Sequence, residues 1–414
     1  MSSPDLTEAE VAAVNRVLQT RYLSIGPQIK AFEQALASYV GTRHATGVNS
    51  GTSGLHLCII AAGVGEGDLV ITTPFSFISS ANCILFERAI PIFVDIDPQT
   101  LNIDPALVAA AADDLARGGD AAKRWLPPAL RKSQVPNPKP QLKAVLTVDA
   151  FGQPADHDPI RAVAERHDLV IIEDSCEALG AEYKGRKAGT LGDVGVFAFY
   201  PNKQMTTGEG GMIVTGRDDW DALFRSLRNQ GRDVFDAWLN HTRLGYNYRM
   251  GEMSAALGVS QLRRIEELLA KRERVAEWYN ERLVDVEGVQ IPYIGPTTTR
   301  MSWFVYVVRF APEIGRNRVV AQLKKQGIPS RPYFTPIHLQ PFYVQKFGYQ
   351  RGDFPVTEEA GDTCLALPFS SVMTEEQVEY VCLALKACSQ SSNEEDDLRT
   401  QNRTRIVTDQ TGFH

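Results

Sequence analysis

The chain is 414 residues long, which exceeds the size at which a single hydrophobic core usually stops growing, so we expect a large domain and a smaller one. Its 43 lysines and arginines against 50 aspartates and glutamates give a net charge of -7, which excludes a general attraction to nucleic acid or to an anionic membrane surface. No stretch of about 18 apolar residues and no signal-peptide pattern occurs. We therefore expect a cytoplasmic protein without a membrane span.

The cysteines and histidines form no recognisable disulfide or metal pattern. Six cysteines are scattered without a C-x-x-C spacing, and seven histidines show no H-E-x-x-H. The best group of possible ligands, Asp149, His157 and Asp158, lies beside turn residues. We therefore expect reduced thiols and no metal site.

The N-terminal part predicts two helices before any strand. Thr7 and Glu10 form a capping box ahead of a first apolar stripe, and Pro27 fits the first turn of a second helix that ends near Gly41. A loop rich in Gly, Ser and Thr follows over residues 45–54 and opens an apolar helix. Such a helix start can bind a phosphate, with hydroxyls from Thr52 and Ser53, although an ordinary N-cap is the alternative.

Strands and helices then alternate, as is typical of a mostly parallel sheet with crossover helices. Apolar runs over residues 68–73, 89–95, 142–149 and 169–175 predict the strands. Phe75 and Phe77, after the first of these runs, could stack on a flat ligand, although aromatic residues in such a stretch more often belong to the core.

Residues 113–143 interrupt this rhythm with glycines, prolines and a surplus of basic side chains, which indicates an insertion in a surface loop or short helices. Its charge suggests the hypothesis that it flanks a substrate entrance. We predict a large domain over residues 1–251. A linking helix over 252–283, with Met253 on its buried face, then leads into a small α+β domain that ends near residue 388. The polar residues 389–414 are predicted to be a disordered tail.

Two features of the large domain carry candidate chemistry. Glu173 and Asp174 stand at the end of a buried strand, where ligands bind in open α/β sheets, and alternation along a strand lets only one of them face the ligand without saying which. Lys203 lies on a Gly-rich turn between the apolar runs 194–199 and 212–215. A lysine that forms a Schiff base, a carboxylate for a ring nitrogen and a helix start for a phosphate together predict pyridoxal phosphate as cofactor.

The chain resembles the DegT/DnrJ/EryC1/StrS family of pyridoxal-phosphate sugar aminotransferases from about Gly26 to Lys386. The resemblance rests on six ordered motifs, which are Asn49-Ser-Gly-Thr-Ser-Gly-Leu-His56, Gly152-Gln-Pro-Ala-Asp156, Ile172-Glu-Asp-Ser-Cys-Glu-Ala-Leu-Gly180, Pro201-Asn-Lys-Gln-Met-Thr-Thr-Gly-Glu-Gly-Gly211, Gly245-Tyr-Asn-Tyr-Arg249 and Pro336-Ile-His-Leu-Gln-Pro341. It implies an aspartate aminotransferase type of fold, fold type I of the pyridoxal-phosphate enzymes, with a seven-stranded sheet.

The resemblance also implies roles for single residues. Lys203 would form the Schiff base and Asp174 would meet the pyridine nitrogen, so both are candidate catalytic residues. The implied contacts to ring and phosphate come from Phe77, Thr52, Ser53 and, across a homodimer, Asn247. Two positions depart from the family pattern. Ala198 replaces a serine that usually contacts the phosphate, where Asn202 is a candidate substitute, and Glu177 replaces a glutamine, which puts a second acid near the ring.

The implied activity is transfer of an amino group from glutamate or glutamine to a keto group of a nucleotide-linked sugar, for surface polysaccharides or secondary metabolites. Candidate substrate contacts are Arg249, Arg331, Tyr333 and His338, each of which could equally be an interface or surface residue. Related dehydratases carry histidine at the position of Lys203, so the lysine favours amino transfer. The alternatives are a regulatory protein that kept the fold, or another fold type I enzyme that acts on amino acids.

Overall fold

The computed structural model describes residues 2–131, 141–233 and 240–388. Within these residues no helix combines the length and the apolar character that a membrane crossing requires. The α-helices are, in chain order, α1 (Glu8–Leu18), α2 (Pro27–Val40), α3 (Gly51–Ala61), α4 (Ser79–Phe86), α5 (Pro105–Arg117), α6 (Gly119–Lys123), α7 (His157–His167), α8 (Asp218–Leu227), α9 (Glu252–Arg263), α10 (Ile265–Leu283), α11 (Arg316–Lys325), α12 (Pro341–Phe347), α13 (Pro355–Thr363) and α14 (375–388).

The strands form three sheets. They are β1 (His44–Val48), β2 (Leu69–Thr72), β3 (Ile90–Phe93), β4 (Leu142–Val148), β5 (Val170–Asp174), β6 (Glu182–Tyr183), β7 (Arg186–Lys187), β8 (Val194–Ala198), β9 (Gly211–Thr215), β10 (Val289–Gln290), β11 (Thr298–Arg300), β12 (Tyr306–Phe310), β13 (Arg331–Pro332) and β14 (Cys364–Leu367). The smallest sheet has the order β11-β6-β7.

The central sheet has seven strands in the order β1-β9-β8-β5-β4-β2-β3. Strand β9 is antiparallel to both of its neighbours, and the other pairs are parallel. This confirms the predicted α/β fold with a mostly parallel seven-stranded sheet. The carboxyl ends of β2, β4, β5 and β8 meet at one edge, where a ligand site is expected.

Helices cover both faces of the central sheet. Helices α3, α4 and α8 pack on one face, which includes Ile172 of β5, while α5 and α7 pack on the other, which includes Ile171. Because side chains alternate along a strand, Asp174 extends towards the face of Ile172 and Glu173 towards the face of Ile171. The two neighbouring acids are thereby separated.

The two N-terminal helices begin as predicted. Thr7 and Glu10 form the capping box of α1, and Pro27 opens α2, which ends at Gly41 in a left-handed conformation that glycine adopts without strain. The fully buried Glu252 caps α2 from a distance, since its carboxylate accepts hydrogen bonds from the N–H groups of Gly26, Gln28 and Ile29. This link joins α2 to the start of α9.

The predicted single helix over residues 252–283 is wrong in one respect, because the structure divides it into α9 and α10 at Arg264. The Arg264 guanidinium turns towards Asp5 and Glu267, with Nη2 2.9 Å from Asp5 Oδ1. Met253 is 39% exposed, so its predicted place on the buried face is also wrong. The apolar face instead includes Ala255, among other buried side chains.

The C-terminal part contains the second sheet, in the order β10-β12-β14-β13 and antiparallel throughout. Its core joins side chains from α10, β12, β14 and α14 to Phe75 and Phe151 of the N-terminal part. Trp303 has a positive φ of 51°, and strand β12 begins only at Tyr306. The domain boundaries themselves stay a prediction.

The proposed insertion is largely helical where it is described. Helix α5 extends to Arg117, α6 follows, and a 3-10 helix over Pro128–Leu130 packs beside α12. Residues 132–140 and the predicted disordered tail, 389–414, lie outside the described residues. The hypothesis that the insertion flanks a substrate entrance stays untested.

Candidate active site

A cavity of about 720 Å³ lies at the carboxyl ends of β5 and β8, against the N-terminus of α3. Its walls come from the central sheet, from the loop between β8 and β9, and from the segment around β13. Cavities of this size hold small molecules and cofactors. Its lining includes Ser50, Gly51, Thr52, Phe77, Asp174, Cys176, Glu177, Ala198, Tyr200, Asn202, Lys203, Phe304, Tyr333, Phe334 and Gln340.

Lys203 lies on the loop that joins the antiparallel strands β8 and β9. The loop closes through backbone bonds from Lys203 N–H to the Tyr200 carbonyl (2.9 Å) and from Thr207 N–H to the Phe199 carbonyl (3.0 Å). Its Nζ lies 3.5 Å from Glu177 Oε1 and 3.9 Å from the centre of the Phe304 ring. The side chain is only 13% exposed, so the amine points into the cavity rather than into solvent.

Asp174 ends β5 on the side of the sheet that carries α3 and lines the cavity. Its Oδ2 accepts a hydrogen bond from Ser80 Oγ (2.6 Å), and its Oδ1 accepts one from Cys176 N–H (3.3 Å). Burial raises the pKa of the Asp174 carboxyl, although these two hydrogen bonds oppose the shift. Glu173 points away and accepts hydrogen bonds from the N–H groups of Gly189 and Gly192.

Glu177 is the second acid of the cavity. Its Oε2 accepts a hydrogen bond from Phe151 N–H (3.0 Å), while Oε1 faces Lys203. Burial raises the pKa of the Glu177 carboxyl, and the Lys203 ammonium opposes this shift. The pair is therefore a lysine and a glutamate whose side chains are both largely buried in the cavity wall.

The N-terminus of α3 faces the same cavity. Ser50 caps the helix, with its Oγ accepting a hydrogen bond from Ser53 N–H (3.1 Å). The N–H groups of Gly51 and Thr52 precede the first intrahelical bonds, and both residues line the cavity. Ser53 does not line it, because its hydroxyl donates to Asn49 Oδ1 (2.7 Å). Of the two residues predicted to offer a hydroxyl to the phosphate, Thr52 lines the cavity and Ser53 does not.

Helix α3 and strand β8 approach each other closely at Gly51. A β-carbon at this position would lie 2.8 Å from the Ala198 β-carbon and 2.8 Å from Cys176 Sγ, so glycine is required for this packing. Ala198 offers no hydroxyl here. Asn202, the candidate substitute, lines the cavity, and its Oδ1 is a buried acceptor with no hydrogen-bond partner among the described residues.

The two phenylalanines after β2 have different places. Phe75 is completely buried between the two parts of the molecule, whereas Phe77 lines the cavity and is 62% exposed. An exposed ring over a cavity can stack on a flat ligand. Phe75 therefore belongs to the hydrophobic core, whereas Phe77 does not.

The four candidate substrate contacts are not brought together. Tyr333 lines the cavity. Arg331 lies on β13 with an exposed side chain, and Arg249 donates from Nη1 to Asn229 Oδ1 (3.0 Å); neither lines the cavity within this chain. His338 is fully buried and 3.0 Å from Glu358 Oε1, so the structure corrects the expectation that it contacts a substrate.

Asn247 is exposed and lies outside the cavity of its own chain. The segment around it is fixed to the start of α3, since Asn49 N–H donates to the Tyr248 carbonyl (2.9 Å). Its predicted contact across a homodimer stays a prediction.

Comparison with known proteins decides the family. Residues 4–386 match the DegT/DnrJ/EryC1/StrS aminotransferase family. The chain belongs to this family. It is 38% identical over 389 residues to a GDP-perosamine synthase of Caulobacter vibrioides, which covers 93% of this chain and 96% of that protein.

Solved structures agree with this assignment. The crystal structure of DesV from S. venezuelae has a TM-score of 0.80 at 30% identity and covers 92% of this chain and 94% of its own. PseC of Helicobacter pylori, an aminotransferase involved in the biosynthesis of pseudoaminic acid, has a TM-score of 0.81 at 26% identity and covers 94% and 98%. The predicted aminotransferase fold, activity and cofactor, pyridoxal 5'-phosphate, are confirmed for this member of the DegT/DnrJ/EryC1/StrS family.

The residues present fit this cofactor. Pyridoxal phosphate supplies an electron-accepting ring that stabilises the charge left on a substrate carbon when its proton departs. Lys203 can bind its aldehyde, Asp174 can hold its ring nitrogen, and the first N–H groups of α3 can hold its phosphate. The unpartnered Asn202 Oδ1 leaves an acceptor at the cavity wall for a bound group.

A buried cluster of charged residues lies behind Asp174. It differs from the group predicted from the sequence, because it contains Glu173 in place of Asp158. His157 Nε2 is 3.7 Å from Asp149 Oδ1 and 3.8 Å from Glu173 Oε2, whereas Asp158 pairs with Lys184. Burial alone would lower the pKa of His157, but the carboxylates of Glu173 and Asp149 raise it overall. The expectation of no metal site stays a prediction.

Among the residues that sequence reasoning missed, two contact Lys203 or the backbone of its loop. Phe304 covers the amine of Lys203, and Arg272 bonds to the backbone of its loop. Arg272 had a detectable signal, because it is a charged residue within the apolar stripe of α10 that includes Leu268, Leu269 and Val275. Phe304 had none, since it comes from a segment far along the chain.

Proposed function

We propose that this aminotransferase moves an amino group from glutamate or glutamine to a keto group of a nucleotide-linked sugar, in the synthesis of amino sugars for surface polysaccharides or secondary metabolites. The observation that carries the proposal is one cavity that holds both Lys203 Nζ and the Asp174 carboxylate. The similarity to a GDP-perosamine synthase supports a nucleotide-linked sugar as substrate.

In this proposal Lys203 has two tasks. It would hold the aldehyde of the cofactor, and as a free amine it would move the proton at the reacting carbon of the substrate. Its Nζ contacts a buried carboxylate and the face of an aromatic ring, which restrict its position. Such restriction favours proton transfer at one defined atom.

Asp174 keeps the ring nitrogen protonated. A carboxylate buried to 5% exposure and oriented by Ser80 is suited to this task, because a charged hydrogen bond in a site shielded from water is strong. We assign the phosphate to the N-terminus of α3 with Thr52, and the stacking contact to Phe77. Ser53 orients Asn49 beside this turn rather than binding the phosphate directly.

The substrate side of the cavity is formed by the segment around Tyr333, with Phe334 and Gln340 beside it. The volume of about 720 Å³ accommodates the cofactor and part of a sugar. A diphosphate attracts cations, and Lys203 is the one cation among the described cavity residues of this chain. We therefore infer that Arg249 or Arg331 reaches the substrate across a homodimer, in which Asn247 of one subunit contacts the phosphate bound by the other.

Purified protein loaded with pyridoxal phosphate tests the proposal. Incubation with glutamate or glutamine, followed by UDP-, dTDP- or GDP-linked keto sugars, should remove the visible cofactor band and then restore it while an amino sugar forms. K203A is the control and should form none. A wild type whose cofactor band responds to neither donor would contradict the proposal and favour the regulatory alternative. We further propose that the reaction takes place in the cytoplasm, where all six cysteines would stay the free thiols seen in the structure.

A further inference from the structure

Arg272 is an arginine in the interior of the molecule, 2% exposed, on the face of α10 that packs towards the cavity. Its Nη1 donates to the carbonyls of Trp303 (3.1 Å) and Phe304 (3.2 Å). Its Nη2 donates to the carbonyls of Asn202 (3.3 Å) and Lys203 (2.7 Å). One guanidinium therefore joins the Lys203 loop to the segment that precedes β12.

This arginine forms no ion pair with any of the described residues. Burial lowers the pKa of Arg272 to about 10, which still leaves it charged at neutral pH. A buried charge without a counter-ion is unfavourable unless several dipoles stabilise it, and the four carbonyl oxygens are those dipoles. Burial of this charge costs free energy, and in return Arg272 provides hydrogen bonds to four carbonyls that an apolar side chain could not provide.

We propose that Arg272 is the positioning residue of Lys203. It binds the lysine's own carbonyl and also the carbonyl of Phe304, whose ring centre lies 3.9 Å from Lys203 Nζ. The same guanidinium thus fixes the position of the Lys203 backbone and the position of the Phe304 ring, which restricts the movement of the Lys203 amine. The inference rests on the proposed function only in that Lys203 is the residue that binds the cofactor.

Lysine cannot take over this role in full. The guanidinium is planar and directs its donors to both sides at fixed angles, whereas an ammonium is a compact point donor on a flexible stem. R272K can therefore satisfy part of the carbonyl set, and R272M none of it. Carbonyls left without a donor in the interior would loosen the loop.

Hydrogen exchange of the cofactor-free protein tests whether Arg272 holds the Lys203 loop in place. Peptides that cover residues 199–207 should exchange faster in R272M than in wild type, with R272K between them. The matched control is R316M, because Arg316 also donates to two carbonyls, of Cys364 and Gly361, but none of these three residues lines the cavity. R316M should leave the exchange of residues 199–207 unchanged.

The rate at which cofactor-free protein captures pyridoxal phosphate tests whether this positioning of Lys203 matters for cofactor binding. R272M should capture it about tenfold more slowly, the factor that corresponds to one charged hydrogen bond, while R316M keeps the wild-type rate. Wild-type exchange and capture in R272M would overturn the proposal. If R272M does not fold, R272K decides in the same two assays. Failure of the wild type to aminate any keto sugar would refute the proposed function and leave both readouts intact.

Discussion

Lys203 Nζ lies 3.5 Å from Glu177 Oε1, and Glu177 Oε2 is held by the N–H of Phe151. The lysine therefore has one fixed acidic partner inside the cavity, which Asp174 also lines. The family resemblance implies glutamine at the position of Glu177, so the charge of this partner is a departure from the implied pattern. The pairing means that cofactor capture has to separate an ammonium from a carboxylate.

Replacing the acid by its amide tests this pairing. E177Q keeps the size of the side chain and an oxygen for Phe151 N–H, but it removes the negative charge beside the amine. Capture of pyridoxal phosphate by the cofactor-free protein at neutral pH should become at least about fivefold faster, because even an exposed ion pair contributes up to about 1 kcal/mol. E209Q, which alters another acid that lines the cavity, is the control. Equal rates in wild type and both variants would show that Glu177 does not restrain Lys203.

Truncation of Phe75 and truncation of Phe77 should have different effects, the first on stability and the second on cofactor affinity. F75A removes a fully buried ring and should lower the free energy of unfolding by about 3–5 kcal/mol. F77A removes a ring that is 62% exposed in the cavity, so stability should change by no more than about 0.5 kcal/mol while the affinity for pyridoxal phosphate falls. Chemical denaturation and cofactor titration measure the two effects. An F77A protein with unchanged affinity would exclude stacking on the ligand.

The buried cluster behind Asp174 should make stability depend on pH. Burial is the main cause that raises the pKa of Glu173 to about 7 from its ordinary value of 4.5, and the pKa of His157 is raised as well. At both groups the folded protein binds protons more tightly than the unfolded chain. Their contribution is therefore present in full below about pH 4.5 and is lost as the pH rises through about 7.

Removing the imidazole should expose this dependence. H157F removes an imidazole whose raised pKa stabilises the folded protein while it is protonated, and it leaves Asp149 without this cation, so it should destabilise the protein by about 3–5 kcal/mol at about pH 5. The loss should be smaller at about pH 9, because the wild-type imidazole has lost its proton there and with it the stabilisation. Denaturation at both pH values measures the difference, with H167Q as a control for a histidine that is only partly buried. A loss that does not change with pH would contradict the account of the cluster.

The sequence permitted prediction of the features that depend on local patterns. The turn at Lys203 followed from two apolar runs that flank glycines, and the helix start at Thr52 followed from its small polar residues. The resemblance implied Asp174, but the residues themselves left the choice between Glu173 and Asp174 open, because it depends on which face of the sheet α3 covers. No periodicity contains that information.

Other residues were placed by long-range packing alone. His338 could be assigned to the substrate only by its motif, yet it is enclosed beside Glu358, and Phe304 reaches the cavity from about 100 positions after Lys203 along the chain. Arg272 differs from both, since a charge within an apolar helical stripe indicates an interior polar contact, although not its partners. Local signals therefore located the elements, and only tertiary structure located the partners of Lys203.

Reduction of the cofactor-loaded protein with borohydride, followed by peptide mass spectrometry, tests the central claim most directly. One pyridoxyl adduct should form, on the peptide that contains Lys203, and none should form in K203A. An adduct on another lysine, or a visible cofactor band that survives unchanged in K203A, would contradict this claim.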